Sequence, residues 1–131
     1  MRTKQTTVKR GDEITERYFR LLDEHLQQVI NGDAPAMLQL SEIAALLFVS
    51  HRHLTDTVQK TTGNHPCHFY DLKIVEQAQK MLRETELSVA AIALKLTYDP
   101  SNFSKFFRKF TGMTPGAYRG QHQDKKPKSS P

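Results

Sequence analysis

Along this chain the apolar positions recur at helical spacing, with no alternation of the kind a strand requires. In the segment 100–111, PSNFSKFFRKFT, a period of 3.6 puts Phe103, Phe106, Phe107 and Phe110 on one face and Ser101, Asn102, Lys105, Arg108 and Lys109 on the other. Asp99 before Pro100 reads as an N-cap with proline at the first helical position. Thr111-Gly112 supplies the stop, with Pro115 shortly beyond. The four phenylalanines are expected in the core, where each would contribute roughly 1.5 to 3 kcal/mol.

The same pattern occurs once more, 49 residues earlier. Ile43-Ala44 corresponds to Ile92-Ala93, Leu54 to Phe103, Val58 to Phe107 and Lys60 to Lys109. Thr62-Gly63 then corresponds to Thr111-Gly112, Pro66 to Pro115 and Phe69 to Tyr118. Two copies are too few for a solenoid, so the duplication predicts a pair of like subdomains. Each copy opens with a short apolar helix, SEIAALLF or SVAAIALKL, for which Ser41 and Ser88 are the expected N-caps. A tight turn follows, and Ser50 and Asp99 cap a second helix. Two helices joined so closely cross steeply in a helix-turn-helix arrangement, with the small Ala44 and Ala93 at the closest approach.

Between the units, 66–84 carries Phe69, Leu72, Val75, Ala78, Met81 and Leu82 as an apolar stripe without a breaker after Pro66. Such a helix would separate the units by roughly 25 Å. Upstream, 12–32 is amphipathic through Ile14, Tyr18, Leu21, Leu22, Leu26 and Val29, and Gly32 is its expected stop. A short turn over 114–119 ends the ordered pattern. The expected fold is all-α, with about seven helices forming two helix-turn-helix subdomains joined by a long linker helix. Its division is a flexible N-terminus over 1–11, subdomains over 12–65 and 85–120, the linker over 66–84, and a disordered basic tail over 121–131.

Charge adds a direction to this picture. The chain of 131 residues has a net charge of +5, yet residues 1–98 hold 12 basic and 12 acidic side chains. The excess lies in Lys105, Arg108, Lys109, Arg119, Lys125, Lys126 and Lys128, set against Asp99 and Asp124. This asymmetry points to a polyanionic partner, with a solubilising tail as the plainer reading. The single cysteine, Cys67, provides no internal disulfide and suits a reducing cytoplasm. No apolar run approaches the ~20 residues of a membrane span, so no membrane partner is expected.

The segment 87–119, with its FxxFF and TGMTPxxYR patterns, resembles the C-terminal signature of the AraC/XylS family of bacterial transcription regulators. The segment 40–63 resembles that family's first helix-turn-helix, and the likeness covers about 12–120. It implies two units on a rigid linker helix that bind double-stranded DNA as a monomer, each presenting its second helix to the major groove. By position, the DNA-facing roles fall on His51, Arg52, Thr55, Asp56 and Gln59 in the first unit. In the second they fall on Ser101, Asn102, Lys105, Arg108 and Lys109. Activators of the family also imply RNA polymerase as a further partner.

Two features depart from the pattern. The second turn is one residue shorter than in the family, and Thr97 stands where glycine is usual. Because a β-branched residue disfavours positive φ, Thr97 is expected in an ordinary backbone conformation. Asp56 on a DNA-facing helix accepts from cytosine N4 but repels phosphate.

Other functions find less support. His65, Cys67 and His68, with His51 and His53, form ligand-rich text, but His51 and His53 are two apart on a helix and point to different faces. No zinc or zincin spacing completes a site, so no metal, cofactor or catalytic centre is implied. A helical protein-interaction module remains the alternative to DNA binding. Steep salt dependence of binding to heparin or DNA separates the two.

Overall fold

Tyr70, Ile74, Val75, Ala78, Met81 and Leu82 line one side of the 66–84 helix, and both halves of the chain pack against it. The structure, a computed structural model, describes residues 10–123. Among the described residues there are seven helices: α1 (Arg10–Asn31), α2 (Leu40–Leu46), α3 (His51–Thr62), α4 (Pro66–Glu84), α5 (Val89–Lys95), α6 (Pro100–Thr111) and α7 (Pro115–Gln123). No strand occurs among the described residues.

α1 lies against α3 and runs along α4, burying Ile14, Tyr18, Leu22, Leu26 and Val29. Its periodic stripe leaves no other way to remove these side chains from water. The Tyr18 hydroxyl donates to the Pro66 carbonyl at 2.7 Å, and the Thr15 and Thr61 hydroxyls meet at 2.7 Å. Lys73 pairs with Asp23 at 2.8 Å. One continuous apolar cluster extends from Ile14 through Ala44, Leu54 and Ile74 to Phe103, Phe107 and Tyr118. The linker helix is therefore a shared spine with core on it from both halves.

The two turns close in the same way. In the first, Phe48 N–H donates to Ala45 at 3.0 Å and Val49 N–H to Ala44 at 3.0 Å. In the second, Thr97 N–H donates to Leu94 at 2.9 Å and Tyr98 N–H to Ala93 at 2.8 Å. Each pair is a Schellman closure, which requires a left-handed residue directly after the helix C-cap. Accordingly φ is 62° at Phe48 and 64° at Thr97. The expectation of an ordinary conformation at Thr97 is wrong. Both closing hydrogen bonds lie within 93–98, and making them carries the β-branched side chain of Thr97 into the left-handed region.

Four other expectations need adjustment. α2 begins at Leu40 with Gln39 as N-cap, because the Glu42 carboxylate reaches back to accept the Gln39 N–H at 2.8 Å; Ser41 lies inside the helix. Ser88 does cap α5, its Oγ accepting from Ala91 N–H at 3.0 Å. Of the four phenylalanines on α6, Phe103 and Phe107 are fully buried, while Phe106 and Phe110 are half-buried at the edge of the core. On α4 the buried stripe centres on Tyr70 and Ile74; Phe69 stands half-buried against Phe19, ring centroids 5.0 Å apart. Finally, α7 runs to Gln123, so 121–123 are helical. The N-terminal and tail expectations otherwise fall on 1–9 and 124–131, outside the described residues, except that Arg10 and Gly11 open α1.

Candidate nucleic-acid interface

Both second helices are fixed at each end by local chemistry. Ser50 Oγ accepts from His53 N–H at 3.0 Å to start α3, and Gly63, at φ 88°, ends it. The Asp99 carboxylate accepts from the Ser101 and Asn102 N–H groups at 3.2 and 3.3 Å to start α6, and Gly112, at φ 85°, ends it. Asp99 also accepts from the Ser101 hydroxyl at 2.7 Å. That hydroxyl bond, followed by the Asn102 amide, holds the Asp99 carboxyl below the usual carboxylate range.

Leu54, Thr57 and Val58 turn α3 inward, and Phe103 and Phe107 do the same for α6. The remaining faces point to solvent. His51, Arg52, Asp56 and Gln59 are exposed on α3, and Thr55 is half-buried at the edge of that face. On α6, Ser101, Asn102, Lys105, Arg108 and Lys109 are all exposed. The structure thus brings the sequence-predicted residues of each unit onto one open face.

The two faces differ in charge. Arg52 Nε lies 3.8 Å from Asp56 Oδ2 one turn on, with side chains 91% and 58% exposed, so the first face is close to neutral. Lys105, Arg108 and Lys109 form no salt bridge among the described residues. Lys109 does feel Asp71 of α4, whose carboxyl is raised by burial and then lowered by His68 and Lys109.

Sequence reasoning counted Arg119 in the basic excess, but it is committed elsewhere. Its Nε donates to the Leu82 carbonyl at 3.1 Å and Nη2 to the Thr85 carbonyl at 3.1 Å, at the C-terminal end of α4. Charge counting carries no signal of this partnership. It also missed Phe48, which is 88% exposed in the turn leading into α3.

The histidine-rich text has structural work. His65 caps α4, its Nδ1 accepting from Cys67 N–H at 3.0 Å, and His68 stacks on Phe110 at 6.3 Å. Among the described residues no group of three or more His, Cys, Asp or Glu is placed to hold a metal ion, and no helix is long and apolar enough to cross a membrane.

A helix-turn-helix domain family profile matches residues 43–121, which includes both turns and both outward helices. The MmsAB operon regulatory protein of Pseudomonas aeruginosa is 38% identical over 86 residues, covering 64% of this chain and 28% of that protein. Three curated relatives are matched over only 14%, 28% and 28% of their own lengths. Among solved structures, the C-terminal domain of AraT, a response regulator from Geobacillus stearothermophilus, superposes with TM-score 0.78 at 26% identity, over 94% of this chain and 97% of that one. The DNA-binding domain of AdpA, a global transcriptional factor solved with a target DNA, shares the fold at TM-score 0.66 and 24% identity, over 82% and 96% of the two chains.

Proposed function

The chain belongs to the AraC-type helix-turn-helix family, and from that premise we propose that it is a sequence-specific DNA-binding module of a transcription regulator. In this reading α3 and α6 enter two successive major-groove segments of one duplex, with 12–65 and 85–120 as the two engaging units and 66–84 as their spacer. His51, Arg52, Thr55, Asp56 and Gln59 address one segment, and Ser101, Asn102, Lys105, Arg108 and Lys109 the other. A monomer suffices, acting in the cytoplasm, and RNA polymerase is a second partner reached once the module is on DNA.

The observation that supports this most is the repetition of one exposed helix face at equivalent positions of a duplicated unit. A solvated face needs no second copy at matched caps, whereas a two-groove reader does. The cations of α6 carry the phosphate attraction, each contact releasing counterions. Selection of bound duplexes from a random pool tests the proposal. Enrichment of a defined site, with affinity that falls steeply as salt rises, is expected. Failure to enrich any sequence, with salt-indifferent retention on DNA, would favour a protein-interaction module.

A further inference from the structure

The connection between α1 and α2, residues 32–39, has no helical period, yet it is held from two sides at a single residue. Leu38 N–H donates to Nε2 of His25 on α1 at 2.9 Å, and the Leu38 carbonyl accepts from the Tyr70 hydroxyl on α4 at 2.7 Å. His25 and Tyr70 are 5% and 8% exposed and Leu38 is half-buried, so both bonds are made partly shielded from water and carry a cost if left unmade. At its start the strap is fixed to α1 by Asp33 and Ala34 N–H donating to the Gln28 carbonyl at 2.8 and 3.1 Å.

The far side of the strap faces the second unit. Ala36 and Met37 form one wall of a cleft of about 440 Å³ whose other wall is Thr97, Tyr98, Asp99 and Asn102, the second turn and the first turn of α6. Tyr98 in turn holds α6: its ring stacks on Phe106 at 5.3 Å and meets Phe103 edge-on at 6.2 Å. Tyr70 belongs to the core cluster, and both Tyr98 and Met37 of the strap are packed against that cluster. Nearby, Lys95 Nζ reaches the Ile30 carbonyl at 3.4 Å, a further tie between α5 and the end of α1. The duplication supplies an internal contrast, because Val49 occupies in the first unit the place that Tyr98 takes in the second. The aromatic that the first turn does carry, Phe48, stands one position earlier and is 88% exposed.

From this chain of contacts we infer that the strap sets the placement of α6 relative to α3, and that Tyr70 is a positioning residue for simultaneous engagement of two groove segments. The inference rests on the proposed two-groove function. Tyr70 touches no DNA itself. Its hydroxyl anchors Leu38, Met37 of the strap and Tyr98 of the second turn pack against the one apolar cluster to which Tyr70 belongs, and Tyr98 carries that position to the inner face of α6.

The test uses Tyr70→Phe, which removes one hydroxyl and keeps the ring. Affinity is measured for the selected site, for the same site with one base pair inserted or deleted between its halves, and for each half alone. The wild-type chain should discriminate between spacings, and Tyr70→Phe should narrow that discrimination by about three- to tenfold, with half-site affinity unchanged. A spacing profile identical to wild type, or equal weakening on every duplex, overturns the inference. A wild-type chain indifferent to spacing overturns the two-groove function instead. A measurement without DNA stands beside these: spin labels at Lys60→Cys and Ser101→Cys in a Cys67→Ser background, read below the onset of unfolding. The label-to-label distance distribution should broaden in Tyr70→Phe, and an unchanged distribution counts against the inference.

Discussion

Phe48 and Thr97, 49 residues apart, share one left-handed conformation, φ 62° and 64°, although neither is glycine. Each sits where a Schellman closure needs that conformation, and each carries a side chain that resists it. The hydrogen-bond demand of the turn has overridden residue preference twice, in the same way.

Glycine at either position should therefore stabilise the fold. A non-glycine residue in this region costs roughly 1 to 2 kcal/mol, offset in part by the looser unfolded chain that glycine brings. Thr97→Gly should raise the melting midpoint by a few degrees, and Phe48→Gly by less, because Thr97 is β-branched. Phe48 is 88% exposed, so little packing is lost there. Thermal denaturation checks both, and a lowered midpoint in both variants would show that the turns are unstrained.

The contrast between the two outward faces predicts a division of labour. Replacing Lys105 and Arg108 by alanine should weaken binding to every duplex and flatten the salt slope by up to about 2 units. Arg52→Ala should instead cost roughly 1 to 3 kcal/mol on the preferred site alone. Titrations of specific and random duplexes at several salt concentrations decide it. Equal losses on both duplexes for Arg52→Ala would make Arg52 a phosphate contact.

Arg119 belongs to the fold. With two charge-assisted bonds to carbonyls at the end of α4, Arg119→Ala should destabilise by roughly 1 to 3 kcal/mol. The salt slope of DNA binding, measured where the variant is folded, should not change. A slope reduced by a full unit would return Arg119 to the DNA face.

His25 makes stability depend on pH. Burial lowers its pKa, opposed in part by the Glu42 carboxylate, and its Nε2 must stay unprotonated to accept the Leu38 N–H. As pH falls through the ordinary histidine value of about 6.5, the unfolded chain takes up a proton that the folded chain refuses, so stability declines. The decline ends once pH passes the depressed folded pKa. His25→Gln retains an acceptor without a titration, so its melting midpoint should vary less than wild type between about pH 7 and pH 5. Parallel curves for the two proteins would contradict this.

How far the sequence reveals the molecule depends on whether a feature is local. The span of α6 was readable because its caps, Asp99-Pro100 and Thr111-Gly112, act within a few residues. The outward face followed from the 3.6 period and was confirmed by the exposure of Lys105, Arg108 and Lys109. Arg119 was not readable, since nothing in charge counting shows that a guanidinium will meet backbone carbonyls more than thirty residues upstream. Gln39 displaced Ser41 as a cap through a carboxylate three residues on, a competition that propensity alone does not rank. The hold of His25 and Tyr70 on Leu38 joins three segments, one of them without any period, and emerges only when the chain is folded.

Footprinting of the chain on its selected site is the most direct measure of the central claim. The account predicts protection of two major-groove segments on one face of the duplex, about 10 bp apart, at one chain per site. Protection of a single segment, or binding only as a dimer to an inverted repeat, would contradict it.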